Sequence, residues 1–277
     1  MSVINTNVSA LNAQSALTVN SRNMGVVMQQ LSTGSRINSA KDDAAGLAIS
    51  QNMTSQIRGL DQAVRNANDG ISLLQTADGA LVETSNMLQR MRELSVQSAN
   101  GTLSDVQRGY LDTEFTNLSS QIGKIATETV WNGKAILAGT AGDTSSTAFT
   151  FQTGQGANTI TATITSMDAT STGLVIDALR TNTKTLASAA IIGVDSALAL
   201  VNGQRATIGA VTNRLTYAAD NMANISTNIS ASRSRIMDTD YAQATSQLAK
   251  TQIIQQAATA MLAQANQQPQ SVLALLK

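Results

Sequence analysis

The chain has no histidine, no cysteine and one proline, Pro269, among its 277 residues. Without cysteine there is no disulfide and no thiolate nucleophile. Without histidine there is no zinc site of the usual ligands, no nucleophile paired with an imidazole base and no histidine pH switch. These absences remove most enzyme classes, and no cofactor-binding or metal-binding set is expected. Aromatic residues are also scarce, with three Phe, three Tyr and one Trp, too few to anchor a compact core. A chain built instead from Ala, Ser, Thr, Asn, Gln and Leu suits long helices packed side by side, where Ala and Leu seams suffice.

Charge and hydropathy exclude more. The formal net charge is zero, with 18 basic and 18 acidic residues, so no general attraction to nucleic acid or an anionic membrane is expected. No run approaches the roughly 18 consecutive apolar residues of a membrane span. The first basic residue is Arg22 and no apolar core precedes it, so a cleavable secretory leader is not expected.

The residues that are present are strongly periodic. Ile57, Leu60, Val64, Ala67, Ile71, Leu74, Leu81 and Leu88 follow heptad spacing, with Asp78 and Ser85 as weak members. A second seam is Leu111, Phe115, Leu118, Ile122 and Ile125; Asn100 and Gly101 break the chain before it, and Ser104 can cap it. A third runs from Val194 through Leu198, Val201, Ile208, Leu215, Met222, Ile225 and Ile229 to Ile236, interrupted by Arg205, Thr212 and Ser232. Three apolar stripes must bury one another, which predicts a bundle of three long helices. Between them the pattern changes to period two. Phe149, Phe151, Ile160, Ala162 and Ile164 alternate with polar neighbours around a turn at residues 154–158, and Asn132-Gly133 is a tight-turn dipeptide. The expected fold is therefore mainly α: a long antiparallel coiled-coil helix bundle, a small antiparallel β-element in the central segment, and paired terminal helices.

The two ends are alike. Residues 1–40 and 241–277 contain no acid, and each carries a thin apolar stripe: Ile4, Val8, Leu11, Leu17, Met24, Met28 and Leu31 on one side, Leu248, Ile254, Met261, Leu262 and Ala265 on the other. So little apolar area offsets little ordering entropy. The ends are expected to order when neighbouring copies supply more surface. Pro269 can start or kink a last turn bearing Leu273 and Leu276, which with Leu262 form the candidate assembly tail.

Two acidic clusters invite a catalytic or metal reading. Lys41-Asp42-Asp43 is better read as a charged turn or helix start, because adjacent helical carboxylates diverge. Asp238-Thr239-Asp240 is a short pattern without a supporting motif, and either aspartate can cap the terminal helix.

Several stretches together resemble the terminal regions of bacterial flagellin: LSTGSRINSAKDDAAGLAIS at residues 31–50, LQRMRELSVQSANGT at 88–102, WNGKAIL, SRSRIMDTDYA at 232–242 and LAQANQQPQSVLALLK. The resemblance covers roughly residues 1–140 and 190–277, in order. Its middle differs, lacking the large outer domains of many flagellins, so the chain resembles a short form. The resemblance implies an inner terminal-helix domain from residues 1–42 with 237–277, a shell of helices from 43–138 with 186–236, and an outward-facing β-rich segment from 139–185. It implies a secreted filament subunit, a homopolymer exported without a cleaved leader by the flagellar export apparatus. An export chaperone on the C-terminal segment, a filament cap and hook-junction proteins are the implied partners. Arg36, Lys41, Asp42 and Asp43 then fall at the connector between inner and outer helices, where ion pairs between subunits are expected. Gln89, Arg90, Glu93, Leu94 and Gln97, with Glu114 on the next helix, match the stretch through which toll-like receptor 5 recognises flagellins. The residues alone give that stretch as a solvated helix face with an Arg90 to Glu93 pair. A hook-filament junction protein is the nearest alternative, and a flagellin bearing a zinc peptidase is excluded by the missing histidines.

Overall fold

The computed structural model describes residues 6–138, 148–154, 156–169 and 173–274, with side chains as far as residue 267. In chain order these form α1 (Val8–Thr33), α2 (Ala44–Ala99), α3 (Asp105–Glu128), β1 (Val130–Trp131), β2 (Lys134–Ala135), β3 (Ala148–Gln152), β4 (Thr159–Thr163), α4 (Lys184–Met237) and α5 (Tyr241–Ala274). The mainly α fold, the antiparallel β-element and the paired terminal helices are all present. Two compact units divide the chain: Met1–Ile57 with Thr227–Lys277, and Arg58–Ser226.

Within the unit of residues 58–226, three polar pairs join α2 to α4 in opposite chain directions. The Ser226 hydroxyl donates to Asp61 at 3.0 Å, Arg205 to Asp78 at 2.9 Å, and Arg92 to Asp195 at 2.6 Å. The buried face of α2 carries Leu60, Ala63, Ala67, Gly70, Leu74, Ala77, Leu81, Thr84, Leu88, Met91, Ser95 and Ser98 in three-four alternation, with Leu73, Ser85 and Leu94 buried beside them. That of α4 is Ala187, Ala190, Val194, Ala197, Val201, Gln204, Ile208, Val211, Leu215, Ala219, Met222 and Ser226. Five of the eight apolar residues expected in the α2 seam, with Ser85, and five of the nine expected in the α4 seam are thus buried, and small or polar neighbours take the place of several others. Val64 and Ile71 are only half-buried where Ala63 and Gly70 are buried, Leu198 yields to Ala197, and Ile225 is exposed beside buried Ser226. On α3 likewise, Phe115 and Ile122 are buried with Arg108, Ser119 and Ala126, while Leu111, Leu118 and Ile125 lie half-buried.

The turn between α2 and α3 has clear local causes. Ser104 and Gln107 form a reciprocal capping box at the start of α3. Arg108 is buried and reaches back over the end of α2, donating to the carbonyls of Ser98 at 2.8 Å and Asn100 at 2.9 Å and pairing with Asp105 at 2.8 Å. Those carbonyls belong to the last turn and its exit, where helical partners run out.

After α3 the chain turns through Asn132 and Gly133, both at positive φ, pairing Trp131 with Lys134. The larger hairpin pairs Phe149 with Ala162 and Phe151 with Ile160. The Phe151 ring lies over Gly70, where an added β-carbon would meet it at 2.9 Å. The buried Gln204 accepts from the Thr165 hydroxyl at 3.0 Å and donates to the Thr163 carbonyl at 3.1 Å, so a polar residue in an apolar stripe is satisfied by the strand that covers it. An 18-residue window of α4 has a mean hydropathy of 1.6, apolar enough by length and composition to cross a membrane. Here the helix carries the seam just described.

In the other unit, α1 and α5 pair antiparallel. Asn7 donates to the Ala265 carbonyl at 2.7 Å, and Asn20 to that of Thr251 at 2.8 Å. Asn7 also caps α1 by accepting from the Ala10 amide, and Gly34 ends it in the left-handed region at φ 69°. Pro269 does not end α5, which continues to Ala274.

Candidate functional site

The segment from Gly34 to Asp43 is held by backbone and caps. Ser35 bridges Asp238, and the Arg36 amide donates to the Met237 carbonyl at 2.5 Å. The Arg36 guanidinium donates twice to the Ile236 carbonyl, at 2.7 Å from Nη2 and 3.2 Å from Nε. A positive group thus closes the C-terminal end of α4, where free carbonyls carry partial negative charge. The Asp42 carboxylate accepts from the Ser39 hydroxyl at 3.0 Å and from the amides of Ser39 and Asn38 at 2.9 and 3.2 Å. The Ser39 hydroxyl above all, then those two amides, lower its pKa from the ordinary carboxylate value. Asp43 accepts from the Gly46 amide at 2.8 Å and starts α2; the buried Gly46 leaves room for that carboxylate, which a β-carbon would strike. Both aspartates are occupied locally, whereas Lys41 is exposed. Asp240 caps α5 by accepting from the Ala242 and Gln243 amides, and Asp238 accepts from the Ser234 hydroxyl at 2.6 Å.

The α1–α5 pair leaves much apolar surface open. Val8 is 55% exposed and Leu11 58%, with Val19 and Val26 also exposed on α1; on α5, Ile253 and Met261 are each 66% exposed. Leu262 is half-buried, and the side chains of Leu273 and Leu276 lie outside the described residues. Near the connector, Val27, Gln30, Arg36, Asp240, Gln243 and Gln247 line a cleft of about 370 Å³.

In the unit of residues 58–226, Arg90 is the centre of an exposed ionic cluster. It donates to Glu93 on its own helix at 3.0 Å and to Glu114 on α3 at 2.9–3.0 Å. Glu114 first and Glu93 second raise the Arg90 pKa, so the guanidinium stays charged. Arg92, two residues along the helix, turns to Asp195 on α4, which raises its pKa in the same way. Gln89 and Gln97 are exposed with them. Leu94 is not: it is 0% exposed, because it follows Met91 by three residues on the buried side of the helix. It belongs to the packing beneath the cluster and not to its surface. Sequence reasoning also missed Arg92–Asp195, because a pairing 103 residues apart leaves no local signal.

No cluster of three or more metal-ligating residues occurs among the described residues. Long seam-packed helices, carboxylates spent on caps and open apolar stripes define a helical structural protein that acts through its surfaces.

Residues 4–142 match the family model described as the bacterial flagellin N-terminal helical region, and residues 191–276 match the bacterial flagellin C-terminal helical region. A flagellin of Halalkalibacterium halodurans is 44% identical over 278 residues, covering 99% of this chain and all of the relative. Flagellin A of Vibrio anguillarum is 35% identical over 375 aligned residues, with 99% of each chain covered. Among solved structures, Bacillus cereus flagellin superposes with a TM-score of 0.50 at 34% identity, covering 57% of this chain and 88% of that one. The chain belongs to the bacterial flagellin family, as a short form. It is a structural protein, a subunit of the extracellular flagellar filament, which is a homopolymer of such subunits.

Proposed function

We propose that this subunit polymerises through α1 and α5, which order fully only when neighbouring copies cover their open stripes. The observation that carries this reading is the exposure of Val8, Leu11, Ile253 and Met261 on a helix pair whose described buried residues are Asn20, Val27, Ala244 and Thr251. Burying such a side chain contributes roughly 1.5–3 kcal/mol, so the uncovered stripes are a large unused driving force. On this reading residues 1–42 with 237–277 form the inner layer, 43–138 with 186–236 the shell, and 139–185 the outer segment. The tail of Leu262, Leu273 and Leu276 continues the inner layer. At the connector the exposed Lys41, with Arg36 near it in sequence, meets carboxylates of the next subunit. Removing residues 241–277 tests the assembly reading: a soluble, helical protein that forms no filament is expected, and filaments of the truncated chain would contradict it.

A second reading rests on Arg90, which bridges Glu93 and Glu114 on an exposed face. We infer that Gln89, Arg90, Glu93, Gln97 and Glu114 are the surface through which toll-like receptor 5 binds the monomer, with Leu94 supporting it from below. Arg90→Ala with Glu114→Ala is expected to reduce receptor-reporter activation strongly while leaving the helical circular dichroism unchanged. Unchanged activation would remove the assignment.

Export is inferred to run through the flagellar apparatus, with a chaperone on the C-terminal segment and with cap and hook-junction proteins at the growing filament. The support is membership of the bacterial flagellin family, whose model matches span residues 4–142 and 191–276. Mass spectrometry of the extracellular protein is expected to find its N-terminal segment intact; a shortened N-terminus would contradict export without cleavage.

A further inference from the structure

Asn-Gly occurs three times in the chain, at Asn100, Asn132 and Asn202, and the fold treats the three pairs differently. In such a pair the main-chain nitrogen of glycine can attack the preceding side-chain amide, because no β-carbon shields it. Asn202-Gly203 lies inside α4, where the Gly203 amide is held in the helical hydrogen-bond ladder. Asn132-Gly133 forms a two-residue hairpin turn with φ of 49° and 79°. With ψ of about +30° in a turn of that type, the Gly133 nitrogen lies nearly opposite the Asn132 side chain across the Cα–C bond. Neither pair presents its nitrogen to its side chain.

Asn100-Gly101 is open. It follows the last residue of α2, both residues are exposed, and a β-carbon at Gly101 meets nothing within 4 Å. Gly101 is not at positive φ, and its amide has no hydrogen-bond partner among the described residues. Both reacting groups are polarised. Arg108 Nη2 donates to the Asn100 carbonyl at 2.9 Å, and that oxygen belongs to the same peptide unit as the Gly101 nitrogen. A cationic donor there draws charge from the nitrogen and stabilises its deprotonated form. The Thr102 amide donates to Asn100 Oδ1 at 3.3 Å, on the oxygen that becomes negative when the side-chain carbonyl is attacked.

We propose that Asn100-Gly101 is a self-modifying site at which the folded chain converts Asn100 to isoaspartate. The Gly101 nitrogen loses its proton to water and bonds to Asn100 Cγ; the Cγ–Nδ2 bond breaks, and the side-chain nitrogen leaves as ammonia with a proton taken back from water. The five-membered imide then adds one water. Cleavage between the Asn100 carbonyl carbon and the Gly101 nitrogen returns a proton to that nitrogen, leaves the main chain running through Cγ, and frees the former main-chain carbonyl as a carboxylate. Arg108 favours this opening over the one at Cγ, since the buried guanidinium already donates to the carbonyl that becomes the carboxylate. Water is the sole reagent, so the change accumulates with the age of a subunit. Each event adds one negative charge to a chain whose formal net charge is zero.

The test holds the full-length chain folded in mildly alkaline buffer, with a parallel sample in urea, and follows the three pairs by peptide mapping. Folded, Asn100 is expected to convert at least ~10-fold faster than Asn132 and Asn202, a barrier difference of about 1.4 kcal/mol, and in urea at the same rate as they do. Equal rates in the folded chain would overturn the proposal. Gly101→Ala adds a methyl that has free space, so it is expected to keep the melting temperature while slowing conversion at least ~10-fold. An unchanged rate in that variant would also overturn it. The isoaspartate share at Asn100, read by isoaspartate-specific methylation, is expected to be higher in the folded chain than in urea and to fall toward the urea value in Arg108→Lys. The same share in all three samples would overturn the part given to Arg108.

Discussion

The Asn20 side-chain amide donates to the Thr251 carbonyl at 2.8 Å, and both residues are buried in the seam between α1 and α5. A buried polar contact in a thin helix pair stabilises little by itself but disfavours other registers, as a single buried asparagine does in coiled coils. Asn20→Leu is expected to hold the pair at least as firmly through added apolar burial while relaxing its register. Spin labels at Ser15 and Gln256 in assembled filaments should report one narrow distance for wild type and a broad distribution for the variant. A narrow distribution in both would show that Asn20 does not set the register.

Arg108 closes the last turn of α2 from the first turn of α3. Removing it leaves the Ser98 and Asn100 carbonyls without those donors in a largely buried corner. Arg108→Ala is expected to cost about 2–3 kcal/mol, measured by urea unfolding, from the lost charge-assisted bonds and the packing they hold. Arg108→Lys should recover only part, since one ammonium cannot reproduce the guanidinium fork.

Val175 holds φ at 55°, in the left-handed region that a β-branched residue rarely adopts, and its side chain is 52% exposed. Relief of this strain outweighs both the small loss of apolar contact and the added freedom of the unfolded chain. Val175→Gly is expected to raise stability by about 1 kcal/mol. Calorimetric melting would show it, and a lower melting temperature would mean that the side chain contributes packing beyond its exposure.

The Asp42 carboxyl has a lowered pKa in the folded chain because it accepts from the Ser39 hydroxyl and from the Asn38 and Ser39 amides. Its contribution to stability is therefore complete above the ordinary carboxylate range and is lost as pH falls through the lowered value. The melting-temperature difference between wild type and Asp42→Asn should be constant near neutrality and shrink as acid protonates the wild-type carboxyl. A difference that grows on acidification would reverse the assignment.

Much of this was legible in the sequence because large aliphatic residues at heptad spacing mark long helices. The β-hairpin was equally legible, since Phe149 and Phe151 alternate opposite Ile160 and Ala162. What the aliphatic pattern missed was the direction of each stripe. Leu60, Ala67, Leu74, Leu81 and Leu88 are buried as expected, but their companions are Ala63, Gly70, Ala77 and Thr84, not Val64 and Ile71. Small residues carry little hydrophobic signal, yet they are what a close neighbour such as the Phe151 ring selects. The same physics hid the inward position of Leu94, whose sequence neighbours Arg92 and Glu93 are exposed. The Arg90–Glu93 pair was visible as an i, i+3 match, whereas the positions of Glu114 and Asp195 beside Arg90 and Arg92 depend on tertiary packing.

The central claim is that α1 and α5 find their core in the polymer. Amide hydrogen exchange, compared between monomer and filament, tests it most directly. Amides of residues 8–33 and 241–267 should exchange quickly in the monomer and become protected in the filament, while those of residues 60–98 stay protected in both. Strong protection of both terminal helices in the monomer would contradict it.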